Sequence, residues 1–178
     1  TAAFFAVRWP GKAQGLVIAD ISPFAAPEIR TPEYFQHLSI LKTIIDTDIS
    51  SAASRSEVEI LLSEKITSAR TRGMIMKNLQ RMPDNKFSWK INAPALLRNL
   101  EKIMSGLPRP SVNYPAVTGF PVLFLKGENS GYLPASDQGD ILKVFPAAEI
   151  QIIRNAGHWI HSDNPEAVIN ALIGLVDH

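Results

Sequence analysis

The chain has 178 residues, 46% of them hydrophobic and 20% charged, the balance of an ordinary soluble globular protein rather than a disordered tail. Lys and Arg number 18 against 17 Asp and Glu, a net charge of +1, which supplies no basic face for a nucleic-acid backbone and no acidic tail. The absence of cysteine excludes disulfide frameworks, thiolate metal sites, iron–sulfur clusters and a cysteine nucleophile. No run approaches the roughly 18 apolar residues of a membrane-spanning helix, and the first residues carry no export pattern. The expectation is a cytoplasmic protein with no membrane partner.

Residues 1–9, rich in alanine and apolar side chains, read as a helix stopped by Pro10-Gly11. The chain opens inside that helix and without a methionine, so an earlier natural start is expected. Leu16-Val17-Ile18-Ala19-Asp20-Ile21 is a short, nearly all-apolar run with β-branched residues, the pattern of a parallel strand buried on both faces. It ends in Asp20 followed by Ser22-Pro23. Helix, turn and strand form the second half of a right-handed βαβ unit.

From 31 to 104 the periodicity is helical. Thr31-Pro32-Glu33 is an N-cap followed by proline, ahead of Tyr34, Phe35, Leu38, Leu41 and Ile45. Ser54 or Ser56 caps a second helix bearing Val58, Leu61 and Leu62, and a third runs from about Thr67 to Leu79. A fourth is expected from Ala93 to Met104, with Leu96, Leu97, Leu100 and Ile103 on one face. Before it, Pro83-Asp84-Asn85-Lys86 turns the chain into Phe87-Ser88-Trp89-Lys90-Ile91, a short extended piece. A helical block between sheet strands reads as an inserted cap.

Residues 106–118, with Pro108, Pro110 and Pro115, read as the return to the main body. Pro121-Val122-Leu123-Phe124-Leu125 is a second buried strand, ending in the loop Lys126-Gly127-Glu128-Asn129-Ser130-Gly131; a helix over 135–145 follows. Glu149–Ile153 is a third strand, leading to Asn155-Ala156-Gly157-His158-Trp159. Asn164-Pro165-Glu166 then opens a last helix, whose apolar stripe is Val168, Ile169, Leu172, Ile173 and Val176. In open parallel sheets ligands collect at the C-terminal strand ends, and those ends present Asp20, the Glu128–Ser130 loop and His158. Acid before histidine is the chain order of the acid and base in α/β-hydrolases.

Four blocks carry a resemblance. Asp20-Ile21-Ser22-Pro23, Phe87-Ser88-Trp89-Lys90-Ile91-Asn92, Phe124–Ser130 and Asn155–His161 resemble the esterase branch of the α/β-hydrolase superfamily, over nearly the whole chain. The resemblance implies a partial α/β-hydrolase parallel sheet, residues 1–30 and 105–178, with an inserted mostly helical cap, residues 31–104. In that family a nucleophilic serine sits in a Gly-x-Ser-x-Gly elbow, and this sequence contains none. The chain therefore resembles the part of such an enzyme that begins just after the elbow, without the segment carrying the serine and the oxyanion-hole donors.

What the resemblance implies is serine-dependent hydrolysis of a carboxylester or thioester, with His158 as base and Asp20 as the acid that orients it. Much of the superfamily places the acid where this chain has Ser130, which cannot be an anionic partner; Asp20 matches the earlier position used by the esterase branch, and Glu128 is the reserve acid. The competing reading of Asp20 is a turn cap over Ser22-Pro23, and that of His158 a hydrogen-bonded turn histidine. His161 reads as structural. Trp89, Tyr34, Phe35 and Trp159, with Met104, are the substrate-binding candidates, against the plainer reading of core packing. Asp46, Asp48, Glu57, Glu59 and Glu64 form a solvated face without metal-ligand spacing. No cofactor or metal is expected. The expected partner is a small acyl ester, and self-association is expected through an exposed sheet edge. Two rivals stand beside the esterase: a cap-bearing epoxide hydrolase or dehalogenase relative, and a non-catalytic binding domain.

Overall fold

A computed structural model of the chain describes residues 1–26, 30–111 and 115–176, with the backbone alone described at Val176; part of the return segment 106–118 lies outside the described residues. The chain divides into two compact units: Thr1–Ala26 with Gly106–His178, and Pro27–Ser105. The block 31–104 falls inside the second. No helix among the described residues is long and apolar enough to cross a membrane.

The first unit opens with α1 (Ala2–Arg8), then a 3-10 turn and β1 (Leu16–Ala19). The expectation of a strand buried on both faces needs correction here. Leu16 and Ile18 are buried, Val17 is half-buried and Ala19 is exposed, because β1 lies at one edge of its sheet.

The second unit holds α2 (Pro32–Asp46), α3 (Arg55–Ser63), α4 (Ala69–Met76), β2 (Leu79–Arg81), β3 (Phe87–Trp89), α5 (Ala93–Arg98) and α6 (Leu100–Met104). Side-chain oxygens of Thr31, Ser54, Ser68 and Asn92 accept from the backbone N–H of Tyr34, Glu57, Thr71 and Ala95, so each helix start loses an orphan donor. Val58, Leu62, Ile75, Leu79, Phe87 and Leu100 are among the buried residues of its core.

Two helix expectations in this unit are corrected. The third helix stops at Met76, whose carbonyl accepts from Arg55 Nη2 at 2.7 Å, and Leu79 instead pairs antiparallel with Trp89. The fourth breaks at Asn99, where the backbone leaves helical geometry (φ −109°, ψ 9°) and the side-chain amide donates to the Ala95 carbonyl at 2.8 Å. Such back-bonding offers the backbone an alternative to the next helical turn. Ile103, expected on the buried stripe, is exposed as a result.

Back in the first unit, β4 (Val122–Gly127) is followed by a 3-10 turn at Ala135–Asp137, α7 (Gln138–Val144), β5 (Ala148–Ile153), α8 (Ile160–Asp163) and α9 (Pro165–Val176). The strands form a parallel sheet in the order β1-β4-β5, with Leu16 opposite Val122 and Val122 opposite Ala148. Strand alternation sends Val122 and Phe124 to a face packed with Ala3, Ala6, Ile141, Val144 and Phe145. Leu123 and Leu125 go to the other face, with Ile153, Ile160 and Ala171.

The stripe of α9 is also corrected. Ala167, Val168, Ala171 and Leu175 pack on the sheet, whereas Ile169, Leu172 and Ile173 are exposed; the Val176 side chain lies outside the described residues. Two alanines let the helix approach closely, and a pattern read from the largest side chains selects the adjacent face.

Candidate active site

Asp20 follows β1 in left-handed backbone geometry, φ 48°, a conformation tolerated by Asp more readily than by bulkier residues. Its backbone N–H extends the β1–β4 ladder by donating to the Leu125 carbonyl at 2.7 Å. The side chain is fully buried, 0% exposed, so its charge requires partners. Three are present. Gly127 N–H donates to Oδ1 at 2.8 Å, the Ser130 hydroxyl donates to Oδ2, and His158 Nδ1 lies 2.9 Å from Oδ2.

His158 reaches this carboxylate from the loop after β5. Gly157, just before it, donates its N–H to Asp163 Oδ2 at 2.9 Å, and the Asp20 backbone carbonyl lies a further 3.1 Å from Nδ1. Against a carboxylate that already accepts two other donors, Nδ1 carries the proton, which leaves Nε2 with its lone pair. With 39% of its side chain exposed, the imidazole is open to a reactant while its acid partner is dry. Its face is covered by Tyr132, whose ring lies nearly parallel at 3.8 Å between centroids.

The end of β4, which donates to the acid, meets the loop bearing the histidine backbone to backbone. A Cβ on Gly127 would stand 2.2 Å from the Gly157 carbonyl oxygen, so only glycine lets the end of β4 approach the histidine loop this closely. Lys126 Nζ donates to the Gly127 and Ser130 carbonyls, both at 3.1 Å. Beyond Asp20, the loop is tied by Ser22, whose hydroxyl donates to Asp137 Oδ2. Asp137, itself 1% exposed, is also bound by Arg109 Nη2 at 2.9 Å. The Asp137 hydrogen bond, with smaller help from Asp140, holds the Arg109 guanidinium above its ordinary pKa. Asp140 lies below the usual carboxylate range, chiefly through its bond from Lys143.

Of the residues singled out from the sequence, the structure brings Asp20 and His158 together. It does not bring Glu128 to the imidazole: Glu128 Oε2 accepts from Asn155 N–H at 2.7 Å, where Asn155 turns in left-handed geometry. Trp159 is half-buried and its ring stacks on His161 at 6.4 Å. Tyr34 is buried in the core of the second unit, Trp89 and Met104 pack against that core, and Phe35 is 53% exposed. Among the described residues no cluster of His, Asp and Glu is arranged to hold a metal.

Sequence reasoning passed over two contributors. Ser130 stood out only for lacking a carboxylate, yet its hydroxyl supplies one of the three donors to Asp20; Tyr132 carried no signal at all. We expect Ser130→Ala to destabilise the 178-residue chain by about 1.5–3 kcal/mol, since it removes a hydrogen bond to a buried charge. Urea unfolding of the two chains checks this, and equal midpoints would contradict it.

No protein-family model matches the chain. It is 33% identical to a mouse protein named sn-1-specific diacylglycerol lipase ABHD11, the match covering 99% of this chain and 55% of the relative. It is 28% identical to Esterase YbfF of Escherichia coli K12, over 88% of this chain and 55% of that protein. A solved structure titled "Marine microorganism esterase" superposes with a TM-score of 0.89 at 34% identity, covering 98% of this chain and 65% of that one. The chain spans about half the length of the curated relatives it matches.

Proposed function

Because this chain belongs to the α/β-hydrolase superfamily, we propose that its Asp20–His158 pair is the acid and base of a serine-dependent ester hydrolase acting on carboxylesters or thioesters. The observation that carries the reading is the 2.9 Å approach of His158 Nδ1 to the buried Asp20 carboxylate at the C-terminal ends of parallel strands. The names of the similar proteins, lipase and esterase, agree with it.

In this mechanism His158 Nε2 takes the proton of a serine hydroxyl as its oxygen forms a bond to the acyl carbon. The serine lies outside these 178 residues, whose sequence contains no Gly-x-Ser-x-Gly. Asp20 offsets the charge of the imidazolium and fixes its orientation through Nδ1–H. Collapse of the tetrahedral adduct breaks the bond to the alkoxide or thiolate leaving group, which receives the proton from Nε2. The same nitrogen then removes a proton from water, the resulting hydroxide displaces the serine oxygen, and the proton returns to serine. Trp159, which follows the base in the chain, is a substrate-binding candidate. Trp89, Tyr34 and Phe35, in the second unit, are the other substrate-binding candidates.

The test compares the 178-residue chain with a longer form that includes the preceding segment, on a short-chain aryl ester. A histidine–aspartate pair polarises a nucleophile but does not replace one, so the chain alone is expected to be nearly inert and the longer form active. Robust His158-dependent turnover by the chain alone would overturn the proposal, as would a longer form that opens epoxides or removes halides but leaves esters intact.

A further inference from the structure

We infer that Tyr132 is a positioning residue for the imidazole of His158, fixing its plane and stabilising its protonated form; the catalytic meaning of this rests on the reading above. The rings lie 3.8 Å apart between centroids with 21° between their planes. The Nδ1 bond to Asp20 pins one edge of the imidazole but permits rocking about the hydrogen-bond axis. A ring laid against the flat face removes that freedom. The face of a phenol ring is electron-rich, so it favours imidazolium over neutral imidazole, the state through which a general base must pass.

Tyr132 is held for this role by the groups that hold the acid. Its backbone N–H donates to Ser130 Oγ at 3.2 Å, and the same hydroxyl donates to Asp20. Its carbonyl accepts from Ser22 N–H at 2.8 Å, and the Ser22 hydroxyl donates to the buried Asp137. The stacking ring and the carboxylate therefore share Ser130, and a displacement of one displaces the other. The charged and titratable groups on the elements around the imidazole are Asp20 after β1, Lys126 in β4, Glu128 in the loop after it, Arg154 in the loop bearing His158, and His161 and Asp163 in α8; all are unchanged in the variants below.

The experiment needs no substrate. In the 178-residue chain labelled at histidine, NMR titration follows the His158 ring in the original protein and in Tyr132→Phe, Tyr132→Leu and Tyr132→pentafluorophenylalanine. The fluorinated ring keeps the volume and reverses the charge on the face, which covers the case in which leucine disturbs the fold. Tyr132→Phe is expected to keep the upfield ring-current shift of the His158 carbon-bound protons and the proton affinity. Leucine is expected to abolish the shift, and both leucine and the fluorinated ring to weaken proton binding about two- to fivefold, the range of an exposed cation–π contact. Unchanged proton affinity in the leucine and fluorinated variants overturns the inference, as does a loss in Tyr132→Phe equal to that in Tyr132→Leu. If the longer protein proves inactive on esters while these titrations behave as expected, the esterase reading falls and the ring contact stands.

Discussion

Asp20→Asn in the longer form is expected to lower kcat on an aryl ester by about 10³- to 10⁴-fold, and His158→Ala to reduce it at least as far. Asparagine matches the shape of aspartate, so its carbonyl oxygen can still accept from Gly127 N–H, which donates to Oδ1 now. Its NH₂ then faces His158 Nδ1, at the place where a carboxylate oxygen sits 2.9 Å away. A donor there stabilises the tautomer with the proton on Nε2, the nitrogen that must accept the serine proton. The fold should survive, because a buried charge is replaced by a neutral group with most of its partners kept. Retention of more than about a tenth of the activity would remove Asp20 from the mechanism, whose effect is of a larger order.

Gly127→Ala is expected to act on the same pair without touching it. The new methyl would stand 2.2 Å from the Gly157 oxygen, 2.9 Å from its carbonyl carbon and 3.0 Å from the Ala156 oxygen. All of these are backbone atoms, so the loop bearing His158 must move rather than a flexible side chain. Displacement of a catalytic group by about 1 Å costs on the order of 10²-fold in rate, and overpacking of this kind costs about 1–3 kcal/mol in stability. Gly131→Ala is the control, since nothing lies within 4 Å of its Cβ position. Equal activity for the two variants would show that the close approach of the loops is not what sets the histidine in place.

What could be read from the sequence follows from how each element is held. β4 was legible because every residue from Val122 to Leu125 is apolar and both faces of the strand are covered. Asp20 and His158 were legible because each follows a short run rich in β-branched residues, β1 or β5, where parallel strands deliver their loops. The hairpin strand Leu79–Arg81 was not. Leu79 is in helical register with Ile75, while Gln80 and Arg81 carry no strand signal; pairing with Phe87–Trp89 decides the outcome, and that is tertiary.

The support around the pair was illegible for the same reason. A serine in a polar loop looks like any other until its hydroxyl is seen on the Asp20 carboxylate. The stacking of Tyr132 on His158 joins residues from loops after different strands. Asp137, the last residue of a short 3-10 turn, carries no burial signal in the sequence, yet it is buried against Arg109 and Ser22. Such contacts arise when the loops converge, and local patterning does not encode them.

The central claim, that His158 activates a serine through its bond to Asp20, is tested most directly by the rate at which a fluorophosphonate labels the longer protein, read by intact mass. The reagent bonds to a serine only when a base removes its proton. The account predicts one label per chain on a serine preceding these 178 residues, with labelling slowed about 10³-fold or more in His158→Ala and in Asp20→Asn. Labelling at the original rate in either variant, or a label on Ser130, would contradict it.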